Sequence, residues 1–190
     1  MLVGVDEAGR GPWAGPLVAA AVILNSELKV AKIIKDSKKL SLKQREVAFA
    51  IIQKIALGIG FGWSSVVEID RYGLTLATNV AMRRAMAQIQ QPYQQVIIDG
   101  SVDYLRTEIY KTRAVIRADS LYPEVSAASI VAKVVRDRYI KNIAFLFPEY
   151  SFEKHVGYGT ARHREALERH GPCSLHRRSF KPVKLMISNN

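Results

Sequence analysis

Two almost uninterrupted apolar runs stand near the start of the chain, and more apolar runs recur between longer amphipathic stretches. Residues 2–5 predict a short buried strand, which the glycines and prolines after it forbid from continuing regularly. Residues 17–24 predict a second strand, and because all of them are apolar we expect burial on both faces. Residues 59–65 predict another strand, interrupted by two glycines, and the apolar run 96–98 is closed by Asp99 and Gly100.

Helical patterns occupy the intervals between these runs. Ser41 and Gln44 have the spacing of a capping box and predict a helix start. The inward side of that helix should be Val47, Ala48, Ile51, Ile52 and Ile55. Residues 68–70 predict a short helical turn, and residues 74–89 predict a full helix. Its packing side should be Ala77, Val80, Ala81, Met82 and Ala85.

Two later helices follow from the same pattern. Pro123, a residue favoured in a first helical turn, predicts a helix that runs to about residue 147. Its core-facing residues should be Val131, Val134 and Val135. Lys133, Asp137 and Lys141 form a stripe that is typical of a solvated face, although Lys133 or Asp137 could border a site. Residues 161–170 predict a further helix.

The segment from Gly4 to Pro12 sets two carboxylates beside a glycine-rich bend. Asp6 and Glu7 would point to opposite faces of a regular strand, so they can share a site only if the backbone departs from regularity near them. Gly9 and Gly11 supply that freedom, and Arg10 between them suits phosphate. A solvated strand end remains the simpler alternative. The glycine spacing does not match a dinucleotide-binding loop.

Two further acids stand at ends of predicted elements. Asp99 follows a buried apolar run, which is where open α/β sheets place their chemistry, although an Asp-Gly turn would explain it equally well. Asp119 lies between the apolar segment 114–116 and the helix that Pro123 opens.

The composition favours a polyanionic partner. Lys and Arg number 28 against 17 Asp and Glu, which gives a net charge of +11 and suggests nucleic acid or an anionic membrane surface. No long basic segment exposes bulky apolar residues on one side, so we favour nucleic acid.

No apolar segment is long enough for a membrane span, and no secretory signal is visible, so we expect a cytoplasmic protein. The single cysteine excludes an internal disulfide, and the length indicates one domain.

The last part of the chain, from about residue 151, has eight Lys or Arg against three acids and all four histidines. The histidine spacings match no helical zinc pair, so histidine is not expected to bind metal. Tyr158 stands between Gly157 and Gly159, which leave its ring accessible. It could pack on the core as an ordinary loop aromatic, or stack against a sugar or base.

Several of these segments, in this order and spacing, resemble the bacterial ribonuclease HII family over nearly the whole chain. The matching segments are residues 6–12, 36–40, 68–70, 81–85, 99–100, 126–130, 132–133, 157–160 and 176–180. The resemblance implies a ribonuclease H-like α/β fold, with a mixed central β-sheet flanked by helices and a small helical C-terminal segment. It implies an endonuclease that hydrolyses the RNA strand of RNA–DNA hybrids and cuts 5′ of ribonucleotides embedded in duplex DNA.

The resemblance also implies the residues of the site. Asp6, Glu7, Asp99 and Asp119 correspond to the four acids of the family. So many carboxylates need hard cations, and we expect two Mg²⁺ or Mn²⁺ ions, about 4 Å apart with substrate present. One would prepare a water for in-line attack and the other would stabilise the departing 3′ oxygen, which leaves 3′-hydroxyl and 5′-phosphate ends.

Substrate contacts follow from the resemblance in the same way. Residues 9–11 (Gly9, Arg10 and Gly11) are expected to contact the 2′-hydroxyl and its phosphate, and Tyr158 to pack on the following deoxyribose. Phosphate contacts are expected from Ser37, Lys38 and Lys39 and from the basic C-terminal segment, although a solvated basic turn would also account for the two lysines. Val156 and Gly73 depart from the family pattern, where lysine and asparagine are common.

Two other classes of function remain open at this point. A non-catalytic nucleic-acid-binding protein would explain the charge but not the four acids. A related metal-dependent nuclease acting on branched DNA would share the acids without needing the glycine-flanked Arg10 and Tyr158. A dinucleotide enzyme fails on the glycine spacing. We expect the chain to act as a monomer.

Overall fold

Within the residues that the structure describes, five strands form one mixed sheet. The computed structural model describes residues 1–25, 40–106 and 111–188. The strands are β1 (Leu2–Ala8), β2 (Leu17–Leu24), β3 (Ala56–Ser64), β4 (Gln95–Asp99) and β5 (Thr112–Val115), in the order β3-β2-β1-β4-β5. β2 pairs antiparallel with β1 and β3, whereas β4 is parallel to β1 and β5 is parallel to β4.

Helices cover both faces of this sheet. They are α1 (Leu42–Ile55), α2 (Val66–Met86), α3 (Ala118–Leu121), α4 (Pro123–Ile143), α5 (Phe152–His155), α6 (Ala161–His170) and α7 (Lys181–Ser188), with 3₁₀ helices at Ala144–Leu146 and Pro148–Tyr150. The predicted α/β fold with a mixed central sheet is confirmed. No helix within the described ranges is long and apolar enough to cross a membrane.

Strand β2 lies at the centre of the packing, with all eight residues buried as predicted. Leu17, Ala19, Ala21 and Ile23 join one apolar cluster with α2. Ala20, Val22 and Leu24 join a second cluster, with α1 and α4 on the other face. The side chains alternate between the two clusters because neighbouring strand residues point to opposite faces.

Local signals set the helix ends where the sequence predicts them. Ser41 and Gln44 form the expected capping box before α1, and Pro123 occupies the first turn of α4. The helical stretch from Val66 to Met86 contains Gly73 with φ 77° and ψ 163°, a conformation that other residues adopt only with strain. The kink at Gly73 explains why the pattern indicates a short turn followed by a full helix.

Several boundaries and orientations differ from the prediction. Val47 is 54% exposed, because Ala48, Phe49 and Ile52 form the buried stripe of α1 instead. The helix predicted over 74–89 ends at Met86, and α4 gives way to 3₁₀ turns after Ile143. Patterns of this kind locate helices well but their ends poorly, because terminal turns depend on tertiary contacts.

The glycines of β3 allow a close approach of helix α2. A Cβ on Gly60 would lie 2.1 Å from the Ala85 carbonyl oxygen, and one on Gly62 would lie 2.1 Å from the Ala81 carbonyl oxygen. Both distances are far shorter than any real contact, so glycine is required here for packing. The helix therefore sits directly on the strand and fixes the adjoining loop at Ser64 and Ser65.

The C-terminal segment packs on α4 and on the loop between β1 and β2 through an apolar cluster of its own. Phe152, Leu167 and Val183 from this segment meet Ala14 and Ile140 from the preceding part of the chain. Ala14 also forms an isolated β-bridge with His176. The segment is thereby attached to the loop that joins β1 to β2.

Candidate active site

Asp6 and Glu7 lie within β1, which continues regularly to Ala8. The register with β2 pairs Asp6 with Ala20 and Glu7 with Ala19 without a shift. The predicted departure from regularity begins at Gly9, where φ is 97°, so the strand itself stays regular through both acids. Regular alternation sends the two carboxylates to opposite faces of the strand.

Each carboxylate has a partner on its own face. Ser129 of α4 hydrogen-bonds to Asp6, which is 6% exposed. Arg10 Nε lies 3.6 Å from Glu7 Oε1, and the same arginine donates to Thr78 of α2 at 2.9 Å. The acids therefore stand on either side of the strand end, close enough for their charges to interact.

Asp99 brings the third acid to the same end of the sheet. It follows Ile98, which pairs with Val5 in the parallel β1–β4 ladder, so Asp6 and Asp99 are neighbours across the strand ends. The Ala118 N–H donates to Asp99 Oδ1 at 2.7 Å. This bond holds the start of α3, the helix that contains Asp119, against β4.

The electrostatics of Asp6 reflect this crowding. Burial raises the pKa of the Asp6 carboxyl well above its usual range, and the neighbouring carboxylates of Glu7 and Asp99 raise it further. The Glu7 N–H, which donates to Asp6 Oδ1 at 2.7 Å, and the Ser129 hydroxyl partly oppose the shift. A cation at this position would relieve the repulsion and favour the ionised form of Asp6.

The oxygen donors offered here suit Mg²⁺ or Mn²⁺, which prefer carboxylate ligands. Among the described residues, no three acid, histidine or cysteine side chains are already grouped so that they could hold a metal ion. Asp6, Glu7 and Asp99 fit such an ion by donor type and by their meeting at one end of the sheet, and Asp119 fits it by donor type.

A cavity of about 390 Å³ is lined by Glu7 and by several of the predicted substrate contacts. Gly9, Arg10, Gly11 and Tyr158 line it together with Glu7. Gly11 and Tyr158 face each other, since a Cβ on Gly11 would lie 3.9 Å from Tyr158 Cε1. Ser37, Lys38 and Lys39 fall outside the described residues.

Tyr158 is 41% exposed, so it is not a core aromatic. The ammonium group of Lys133 lies 5.1 Å from the centre of its ring. A Cβ on Gly159 would lie 2.2 Å from the Trp13 ring, so this glycine lets the loop pass against Trp13. The ring is thus presented beside a cation at the edge of the cavity.

Sequence reasoning missed or misplaced three basic residues, which are Arg45, Arg136 and Arg177. Arg45 lines the cavity together with Lys133, the residue that the sequence names as a possible border of a site. Arg136 and Arg177 are fully buried. The expectation that the basic C-terminal segment mainly contacts phosphate fails for Arg177, whose guanidinium bonds to main-chain carbonyls instead. The sequence includes Arg177 in the matching segment 176–180 but does not indicate its burial, because arginines are usually exposed.

The departures from the family pattern have structural counterparts. Val156 adopts a left-handed conformation with φ 45°, and its carbonyl accepts a hydrogen bond from Arg136 at 3.0 Å. Its side chain packs on the C-terminal apolar cluster. Gly73 occupies the kink of α2, where a Cβ would meet open space.

A second cavity, of about 420 Å³, lies between the start of α2 and α4 and is lined by Trp63, Val67, Glu68 and Tyr139 among others. The one carboxylate in this lining, Glu68, is paired with an arginine that lines the same cavity. Glu68 pairs with Arg84 at 2.8 Å, and hydrogen bonds from Arg84 and from the Ser65 backbone lower the pKa of Glu68 to about 2. The cavity thus lacks the convergent acids found beside Asp6.

Comparison with known proteins places this arrangement in context. The family model described as Ribonuclease HII matches residues 3–183. The chain is 46% identical over 190 residues to the Ribonuclease HII of Halorhodospira halophila (strain DSM 244 / SL1), covering 98% of this chain and 94% of that protein. It is 43% identical over 190 residues to the Ribonuclease HII of Dichelobacter nodosus (strain VCS1703A), covering 100% and 99%.

The fold agrees with a solved structure as well. The ribonuclease H2 from Pyrococcus horikoshii OT3 superposes with a TM-score of 0.84 at 28% identity, covering 99% of this chain and 97% of that chain. The predicted ribonuclease H-like fold is therefore confirmed. Taken with the family model and the two relatives, this shows that the chain belongs to the ribonuclease HII family, endonucleases of the ribonuclease H class.

Proposed function

We propose that this chain hydrolyses the RNA strand of RNA–DNA hybrids and cuts on the 5′ side of ribonucleotides embedded in duplex DNA. The observation that carries the proposal is the meeting of Asp6, Glu7 and Asp99 at one end of the sheet. Burial raises the pKa of Asp6, and the charges of Glu7 and Asp99 raise it further, so the group is suited to binding divalent cations. The cavity beside Glu7 is lined by Arg10, Arg45 and Lys133, whose positive charge suits a sugar-phosphate backbone.

We assign Asp6, Glu7, Asp99 and Asp119 as ligands of two Mg²⁺ or Mn²⁺ ions. When bound, the ions would supply activation of a water for in-line attack and stabilisation of the departing 3′ oxygen, which leaves 3′-hydroxyl and 5′-phosphate ends. The protein contributes the positions of the acids. Asp99 is held by the Ala118 N–H, and Asp6 is held by the Glu7 N–H and Ser129.

We assign substrate choice to the cavity wall that is formed by residues 9–11 and Tyr158. Gly9, Arg10 and Gly11 approach the ribonucleotide, where main-chain N–H groups can donate to the 2′-hydroxyl and phosphate. Tyr158 packs on the following deoxyribose. Lys133 and Arg45 add positive charge beside the path of the backbone, and Ser37, Lys38 and Lys39 are assigned to phosphate contacts.

Product mapping tests this proposal against the rival nucleases. A labelled duplex with one ribonucleotide is offered with a four-way DNA junction as competitor, and the ends are identified by their reactivity with kinase and ligase. We expect a single cut immediately 5′ of the ribonucleotide, with 3′-hydroxyl and 5′-phosphate ends. Preferred cutting of the junction would overturn the proposal, and tight binding without cutting would indicate a binding protein.

We also propose that the chain works as one catalytic domain spanning 1–190, as a monomer, in the cytoplasm. The apolar cluster that joins Phe152, Leu167 and Val183 to Ala14 and Ile140 supports a single cooperative unit. Sedimentation at several protein concentrations should give one species of monomer mass, and a concentration-dependent dimer would contradict it.

A further inference from the structure

The Arg177 side chain holds the loop between β1 and β2 through hydrogen bonds to its main-chain carbonyls. Its side chain is fully buried. Its Nε donates to the Gly15 carbonyl at 2.9 Å. Its Nη1 donates to the Arg10 carbonyl at 3.2 Å, and its Nη2 donates to the Gly9 carbonyl at 2.6 Å. The Arg177 backbone N–H also donates to the Trp13 carbonyl at 2.8 Å. A buried guanidinium is costly unless its donors are satisfied, so the arginine and these carbonyls fix one another.

A second buried arginine holds the rest of the loop. Arg136 donates to the Pro16 carbonyl at 3.0 Å and to the Ala14 carbonyl at 3.1 Å. Its remaining bond reaches the Val156 carbonyl at 3.0 Å. A Cβ on Gly9 would lie 2.4 Å from Arg136 Nε, so only glycine lets the loop pass this closely.

Helix α2 fixes the position of Arg177 from the other side. The Asp70 carboxylate accepts bonds from the N–H groups of Arg178 at 2.9 Å and Ser179 at 3.0 Å. The Ser179 hydroxyl donates to the same carboxylate at 2.6 Å. Because these two residues directly follow Arg177, its backbone cannot shift without breaking bonds to α2.

The geometry of the peptide unit carries this constraint to the surface of the loop. None of the described peptide bonds is cis, so the C=O and N–H of each unit point in opposite directions. The Gly9 carbonyl points to Arg177, and the Arg10 N–H of the same unit therefore points away from it. The Arg10 carbonyl likewise directs the Gly11 N–H away. The cavity lined by residues 9–11 and Tyr158 does not include Arg177 in its lining, and from this we infer that it lies on the side to which these N–H groups point.

We propose that Arg177 is a positioning residue for ribonucleotide selectivity. It holds two successive peptide units so that the N–H groups of Arg10 and Gly11 face the cavity as a pair of fixed donors. A ribose 2′-hydroxyl and its adjoining phosphate oxygen are the acceptors that such a pair fits. The inference rests on the proposed function, and it assigns the role to an arginine that is too buried to touch the substrate.

Binding measurements with Arg177→Lys test the proposal. Lysine keeps the charge but concentrates its donors on one flexible ammonium group, so it cannot hold three carbonyls in a planar fan. Dissociation constants are measured in EDTA, so that nothing is cut, for a duplex with one ribonucleotide and for the same duplex in all-deoxy form. We expect the variant to lose about 10-fold of the preference for the ribonucleotide, because donors displaced by about 1 Å lose their alignment.

The all-deoxy duplex separates positioning from general damage. A variant that is merely destabilised would bind both duplexes less well, whereas loss of positioning lowers only the preference. Arg138→Lys is the matched control, because Arg138 is exposed and pairs with Glu46 at the surface of α4. Thermal unfolding is recorded for each protein. A folded Arg177→Lys that keeps the full preference would overturn the inference.

A second variant covers the case in which Arg177→Lys does not fold. Gly11→Ala has room for its methyl group, whose nearest neighbour would be Tyr158 Cε1 at 3.9 Å. The methyl would crowd the pair of donors, so the preference should fall while unfolding is unchanged; an unchanged preference would count against the donor pair. If the wild-type protein shows neither preference nor cutting, the proposed function itself fails. If it shows both, only the role of Arg177 is in question.

Discussion

The Nε2 atoms of His163 and His176 lie 3.0 Å apart, and the partners of the other ring nitrogens determine which ring donates. His163 Nδ1 faces the Tyr158 carbonyl at 2.9 Å, so it carries a proton and Nε2 accepts. The Cys173 N–H donates to His176 Nδ1 at 3.0 Å, so His176 donates through Nε2. The pair is satisfied only when both rings are neutral.

Burial keeps this pair neutral. It is the main reason that the pKa of His163 falls to about 4, and for His176, whose pKa also falls to about 4, the neighbouring His163 adds to it. His155 stacks on His163 with ring centres 4.5 Å apart, and burial lowers its pKa as well. Protonation of the cluster would therefore break hydrogen bonds behind Tyr158.

We predict that the free energy of unfolding falls as the pH drops from about 6.5 toward 4. The unfolded chain protonates its histidines near 6.5, while the folded chain keeps His163 and His176 neutral down to about 4, so the unfolded state binds more protons across this window. Each histidine contributes a slope of about 1.4 kcal/mol per pH unit. Urea unfolding across the window measures it.

The exposed His170 provides the control for this prediction. His170→Gln should leave the slope unchanged, because His170 lies at the solvent-exposed end of α6. Burial also raises the pKa of Asp6 and of Glu124, which opposes this slope, so the contradicting result is a slope that stays the same when His163 and His176 are both replaced.

The histidine cluster shows where the sequence stops being informative. The spacings of His155, His163 and His176 match no helical zinc pair, and nothing else in the sequence indicates a common role for them. Their rings meet because the loops around α5 and α6 fold back on one another, which depends on tertiary packing. The buried arginine Arg177 was missed for the same reason.

The glycines of β3 give a prediction about packing. Gly62→Ala should lower the free energy of unfolding by about 3 kcal/mol, because its methyl would press on the Ala81 carbonyl in a packed interior. Denaturant unfolding measures the loss. Gly11→Ala is the control, with ordinary contact distances around the added group, and equal stability of the two variants would contradict the close approach of α2 to the strand.

Tyr158 should matter most where a single ribonucleotide is followed by DNA. We expect Tyr158→Ala to reduce cutting at an isolated ribonucleotide by about 10-fold more than cutting of a continuous hybrid, since the lost stacking is worth about 1–3 kcal/mol. Tyr158→Phe keeps the ring and should act like the wild type. Initial rates on the two substrates measure the difference.

Tyr139→Ala is a matched control, because Tyr139 is similarly exposed but lines the other cavity. Equal losses on both substrates in Tyr158→Ala would remove the argument that its ring reads the deoxyribose.

The sequence predicts the acids of the site better than it predicts most of the other site residues. Asp99 stands at the end of a buried strand, and sequence alone marks that position, but the parallel pairing that brings it beside Asp6 is a property of the sheet. The strand predicted for residues 2–5 in fact reaches Ala8, because Asp6 and Glu7 also pair with residues of β2. Local glycine signals could not show that the pairing extends this far.

The central claim is that Asp6 and its neighbouring acids act through divalent metal ions. The direct measurement is cutting of an end-labelled duplex with one ribonucleotide by wild type and Asp6→Asn, with Mg²⁺, with Mn²⁺ and with EDTA. We predict metal-dependent cutting 5′ of the ribonucleotide, reduced about 1000-fold in the variant, since metal stabilisation of the transition state is worth several kcal/mol. Cutting that persists in EDTA, or a folded Asp6→Asn as active as the wild type, would contradict the account.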